Sequence, residues 1–224
     1  MSNYENFTKG YAVRCAQLLE PNGKAGAKEE AKSIYQKAID EKIEVTLLLC
    51  VASSGVMIPF DRLDKANHVS GNAVDKDLSG AVKDFATLLD KTFKETDFWP
   101  KVSSDWCYGK LDLEPGKSTL QGTPDDWIKK LTTEFGDLSV RQVVGMIRNG
   151  LAHGNVFQTN HNPIKTLMLL SHKYAKEKAD CECGGKKNQV VAYHCISLSP
   201  NSLREFVRHW FAELEKLEIP NGVR

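Results

Sequence analysis

The run from Val140 to Phe157 constrains the fold of this chain more than any other stretch. Val140, Val143, Val144, Ile147 and Leu151 fall at i, i+3, i+4, i+7 and i+11. That spacing gathers them on one face of an α-helix, whereas the two-residue period of a strand would scatter them over both sides. The helix therefore carries an apolar stripe that the rest of the chain must cover. Toward its end stand Arg148, Asn149 and His153, and Gly154 and Asn155 follow where such a helix stops. A cation, an amide and an imidazole held this close together are a set able to bind and act on a phosphate.

At 224 residues the chain can bury one sizeable core, and a single domain spanning residues 1–224 is expected. With 30 basic and 29 acidic residues its formal charge is only +1. No global basic field exists to attract a nucleic acid, so any such partner must be met by a local patch. The N-terminus, Met1-Ser-Asn-Tyr-Glu-Asn, lacks a basic region followed by an apolar core, so no signal peptide is expected. The longest uncharged run, Val45 to Phe60, is too short and too rich in Thr, Ser and Gly for a membrane span. Cys15, Cys50, Cys107, Cys181, Cys183 and Cys195 are scattered and form no compact disulfide framework, which suits reduced thiols in a cytoplasm.

Along the chain, Tyr11 to Leu19 reads as a short helix closed by Pro21-Asn22-Gly23. From about Ala27 to Ser53 the positions Ile34, Ala38, Val45, Leu48, Leu49 and Ala52 predict a long second helix, ended by Gly55 and Pro59. Residues 61–79 hold Asp61, Asp64, Asp75 and Asp77 among Asn, Ser and Gly, and read as a loop rather than a Mg²⁺ site. Helical spacing returns from Gly80 to Phe93. Asp97 to Thr123 then collects Trp99, Trp106 and Tyr108 in what reads as a long packed connection, its aromatics anchoring the loop rather than stacking bases. Within it Gly116-Lys117-Ser118 does not make a phosphate-binding loop, because Leu111 stands where the motif requires Gly.

Thr123-Pro124-Asp125-Asp126 is a helix start, with a Thr cap, a first-turn Pro and two acids at the positive helix end. The helix is expected to carry Trp127, Leu131 and Phe135 inward and stop near Gly136. Ile164 to His172 and Gln189 to Leu198 read as two strands of a hairpin whose long tip is Lys173 to Asn188. Cys181 and Cys183 at that tip, with His172, His194 and Cys195 on the strands, are off the usual zinc spacing and are read as a reduced loop. Ser199-Pro200 opens a last helix that buries Leu203, Phe206, Val207, Trp210, Leu214 and Leu217.

An Arg followed five positions later by a His is a weak motif, and the chain contains it twice. Arg204 to His209 lies opposite the apolar stripe of the last helix and reads as a solvated face. Arg148 to His153 differs because Gly150, Ala152 and Gly154 interleave with the polar residues, and small side chains let a backbone, a symmetry mate or a ligand come close. The string Ile147-Arg-Asn-Gly-Leu-Ala-His-Gly-Asn155 closely resembles the mark of the HEPN superfamily, an Arg, a polar residue that is often Asn, and a His four to six positions after the Arg. The order of elements around it is similar too, most clearly over residues 125–218, where a hairpin and then a Ser-Pro-capped helix follow the motif.

This resemblance implies a mainly α-helical fold, a bundle of HEPN type with a small β-hairpin inserted at 165–198 and a C-terminal helix at 199–218. It further implies a homodimer that cuts RNA without a metal or other cofactor, in a defence, toxin or RNA-processing role with a possible antitoxin or regulatory partner. Arg148, Asn149 and His153 would be catalytic, with Gly154 and Asn155 against the substrate. The chemistry is consistent. Cleavage by the RNA's own 2′-hydroxyl needs a group that moves protons near neutral pH, which a His supplies, and a fixed cation for the charge that builds on phosphorus-bound oxygen. Helix geometry adds a condition: at roughly 100° per residue Arg148 and His153 lie about 140° apart, while Asn149 and His153 share a face. Either the site is completed by a second copy across a two-fold axis, with Asn149 orienting the imidazole, or the helix unwinds around Gly150. Two other readings stand beside this one, an inert HEPN module that binds RNA, a nucleotide or a protein, and a helix end that serves only as a dimer seam.

Overall fold

The computed structural model describes residues 7–20, 33–66, 79–98, 105–114, 117, 119–133, 135, 137–159, 163–175, 179–180, 186–187 and 189–217. The chain divides into two compact units. The first comprises Met1–Lys101, Asp137–Val144 and Leu203–Arg224, and the second Val102–Gly136 and Gly145–Ser202.

The first unit is helical: α1 (Phe7–Leu18), α2 (Ile34–Asp40), α3 (Glu44–Ala66), α4 (Ser79–Leu89), the start of α6 (Val140–Ala152) and most of α7 (Pro200–Lys216). The predicted long second helix is two helices. Lys42 adopts a left-handed φ of 59° and Ile43 N donates to Ala38 O at 2.8 Å, which closes α2 before α3 begins. Nor do Gly55 and Pro59 end α3, which runs through both. Proline has no N–H, so Gly55 O loses its helical donor. Trp210 Nε1 supplies the replacement, donating to Gly55 O at 3.1 Å. Gly55 is required for a second reason, since a Cβ there would lie 2.5 Å from the Phe211 ring.

By length and composition Glu44–Asp61 is apolar enough to cross a membrane, with a mean hydropathy of 1.5. Here the same apolarity buries Leu48, Val51, Ala52, Val56, Phe60 and Leu63 along one face. Asp61 and Asp64, expected in a loop, belong to α3, and Asp64 pairs with Arg141, which also meets Asp90 at 3.0 Å. Asp75 and Asp77 lie outside the described residues.

The second unit is built on a four-stranded antiparallel sheet of β1 (Cys107–Asp112), β2 (Val156–Gln158), β3 (Leu167–Tyr174) and β6 (Val190–Leu198), in the order β1-β6-β3-β2. A two-stranded ribbon, β4 (Ala179–Asp180) with β5 (Lys186–Lys187), lies between β3 and β6 in the chain. The expectation of a mainly helical bundle with one small hairpin is therefore corrected: the fold is mixed α/β. The hairpin itself is there, β3 pairing with β6 from Leu167↔Leu198 to Tyr174↔Val190. It is not alone because β6 is buried on both faces near its end and offers its second edge to β1.

Register sets the two faces. Met168, Leu170 and Cys195 share one face with Leu111 and pack against Trp127, with Ile128 and Leu131 alongside. Trp127 and Ile128 belong to α5 (Pro124–Ile128), whose predicted Thr123 cap is present, in a reciprocal capping box with Asp126, although the helix ends well before Gly136. Leu169 and Ser171 occupy the opposite face, where α6 lies.

Candidate active site

Helix α6 runs unbroken through Gly150, so the alternative of an unwound helix is removed. Gly150 is required by packing: a Cβ there would stand 2.9 Å from Leu169 Cβ and 3.3 Å from the β3 backbone. The small residue thus admits a neighbouring strand. The helix ends at its predicted place in a paired closure, with Asn155 N donating to Gly150 O at 2.9 Å and Gly154 N to Leu151 O at 3.2 Å. Gly154 carries the positive φ of 64° that this closure needs. Asn155 O then accepts from Leu170 N at 2.9 Å, which ties the helix end to β3.

On this frame Arg148 and Asn149 come together. Arg148 Nη1 donates to Asn149 Oδ1 at 3.0 Å, and Asn149 Nδ2 donates to Ser171 Oγ at 3.1 Å. Ser171 is buried on β3, so the amide is fixed between a guanidinium and the sheet. His153 is exposed and turns elsewhere. Its ring meets that of His172 at a centroid distance of 5.7 Å and an angle of 59°. His172 in turn rests against Tyr193 at 5.0 Å and Tyr174 at 5.8 Å. The structure therefore joins Arg148 to Asn149 and His153 to His172. Asn155 is half-buried, and among the described residues its side-chain amide nitrogen has no hydrogen-bond partner.

Burial, and then the charge of nearby His153, hold the His172 imidazole below its ordinary proton affinity. His194, on the other face of β6, is lowered by burial and by Lys173 and Lys110, and its Nδ1 lies 2.9 Å from Tyr108 Oη. Arg204, by contrast, is engaged with Tyr35, its Nη1 donating to the phenol at 3.1 Å, while His209 is exposed on α7.

A family model described as HEPN pEK499 p136 matches residues 1–220. The chain belongs to this HEPN family. No curated protein and no solved structure matches it.

Ser171 and His172 stand against the candidate residues, and sequence reading did not place them there. His172 was weighed only as a zinc ligand, and its neighbour His153 lies nineteen positions away across a turn and a strand. Alternation along β3 gave no signal of this contact: with Ser171 toward α6, His172 faces the other way, and it meets His153 only because that residue lies past the end of α6. For the same reason His172 and His194 occupy opposite faces and cannot share a zinc ion, since His194 pairs with Ser171. Cys195 is buried and its thiol is pushed up to about 12. Cys181 and Cys183 lie outside the described residues.

Proposed function

We propose that this HEPN protein is a metal-independent endoribonuclease of the cytoplasm, working as a homodimer in a defence, toxin or RNA-processing role. The phosphate would be attacked by the adjacent 2′-hydroxyl, leaving a 2′,3′-cyclic phosphate and a free 5′-hydroxyl. His153 transfers protons, Arg148 meets the charge that grows on the phosphorus-bound oxygens, and Asn149 holds Arg148 in place. Gly154 and Asn155 form the turn beside the substrate. The observation that carries this reading is the Arg148–Asn149–Ser171 chain, because it fixes a guanidinium at the same helix end that carries His153. On an ideal helix residues five apart lie about 140° around the axis, a spacing that suits a site completed by a second copy.

The test compares wild type with His153→Ala and His209→Ala for RNA integrity and growth of the expressing cell. His153→Ala should lose at least about 100-fold in cleavage, while His209→Ala stays at the wild-type rate. Equal activity in all three would defeat the assignment. The net charge of +1 favours a second reading, a module that binds RNA or a nucleotide without cutting it, since no overall field draws RNA to a fast site. Purified protein that binds RNA and leaves it intact on long incubation would establish that reading instead.

A further inference from the structure

We propose that His172 is the second proton-transfer residue of this site, taking the proton of the 2′-hydroxyl while His153 gives one to the departing 5′-oxygen. The proposal rests on the ribonuclease reading above. It begins from placement. Leu169 is the last β3 residue paired with β2, and Leu170 N still meets Asn155 O; past Leu170 that side of β3 has no paired strand among the described residues, and there the His153 ring meets His172 at 5.7 Å. Tyr193, directly across on β6, and Tyr174, two residues along β3, fix the His172 ring from the other sides.

Two imidazoles this close repel one another when both are protonated, and a nearby carboxylate would relieve that cost. Among the described residues neither ring has one. The groups facing His172 are His153 from the end of α6, Tyr193 from β6 and Tyr174 from its own strand. Their environments separate the two histidines: His172 is half-buried and held toward the neutral form, while His153 is exposed. A half-buried imidazole held toward the neutral form beside a solvent-facing one divides the roles of base and acid between them.

The step balances without a co-reactant. Neutral His172 accepts the 2′-hydroxyl proton as the 2′-oxygen–phosphorus bond forms. The phosphorus–5′-oxygen bond breaks, and the leaving oxygen takes the proton of the His153 imidazolium. Exchange with water restores both rings.

The experiment uses an oligoribonucleotide that the wild type cuts, made also with sulfur in place of the bridging 5′-oxygen at the cut. Sulfur leaves without a proton, so His153→Ala should recover on the sulfur linkage. His172→Gln should stay at least about 100-fold below wild type in kcat on both linkages, with KM little changed. In parallel, NMR titration of the wild type should show His172 losing its proton below the ordinary imidazole range, a readout that no folding defect of a variant can disturb. Wild-type cleavage by His172→Gln, its recovery on sulfur, or a His172 that titrates at or above the ordinary imidazole value would overturn the proposal. A wild type that cuts no RNA would instead sink the ribonuclease reading itself, a result distinct from an active enzyme indifferent to His172.

Discussion

Asn149 carries more of the site than the Arg-to-His spacing does. Its two amide atoms face opposite demands, the oxygen receiving Arg148 and the nitrogen reaching Ser171. Replacing it by Ala removes both bonds and frees the guanidinium, so cleavage should fall by about tenfold or more, mainly in kcat, since positioning is lost while the cation remains. Steady-state kinetics of Asn149→Ala beside Arg148→Ala checks this; unchanged kcat in Asn149→Ala would show that the amide positions nothing. The candidate residues Arg148, Asn149, His153, Gly154 and Asn155 could be named from sequence because they lie within one helix end. Ser171 and His172 were not, because their place depends on strand register and on how closely α6 approaches β3.

Helix α6 keeps its position through one absent side chain. Gly150→Ala would push a methyl to 2.9 Å from Leu169 Cβ and against the β3 backbone, which cannot swing away. The expected cost is about 1–3 kcal/mol, read as a lowered denaturant midpoint at unchanged slope. Helix α7 depends on its cap. Ser199 Oγ accepts from Ser202 N at 3.1 Å, and Asp105 accepts from Ser199 N at 3.0 Å and from Ser202 Oγ at 2.9 Å.

Burial works against ionisation of Asp105, but the hydrogen bonds from Ser199 and Ser202 outweigh it and hold the carboxyl below its ordinary value. A carboxyl lowered in the folded state adds stability above its unfolded pKa of about 3.9 and loses it as pH falls further. Asp105→Asn should therefore cost about 1–2 kcal/mol at neutral pH and progressively less in acid. Urea unfolding at several pH values reads the difference, and a loss of stability that did not shrink toward acid would contradict this role. Caps and closing glycines made the ends of α6 and the starts of α5 and α7 readable. Strand β1 stayed hidden because only Leu111 of its six residues is buried, and β2 is only three residues long. Pro59 misled because the donor that rescues its helix, Trp210, is far away in the chain.

In the chain as a whole, family membership was legible from nine residues, whereas the mixed α/β fold was not, since a sheet is made by pairings between distant segments. If the site is shared between two copies, Arg148→Ala and His153→Ala chains should each be inactive alone. Mixed and allowed to exchange, they should regain a substantial fraction of activity, because one site in the mixed dimer then has both residues. No recovery despite demonstrated exchange would place the whole site within one chain.

The most direct test of the central claim is cleavage of RNA by the purified protein in excess EDTA, with the new ends analysed chemically. The account predicts undiminished cutting, 2′,3′-cyclic phosphate and 5′-hydroxyl ends, and loss of both products in His153→Ala. Cleavage that appears only on addition of Mg²⁺, or ends bearing a 5′-phosphate, would contradict it.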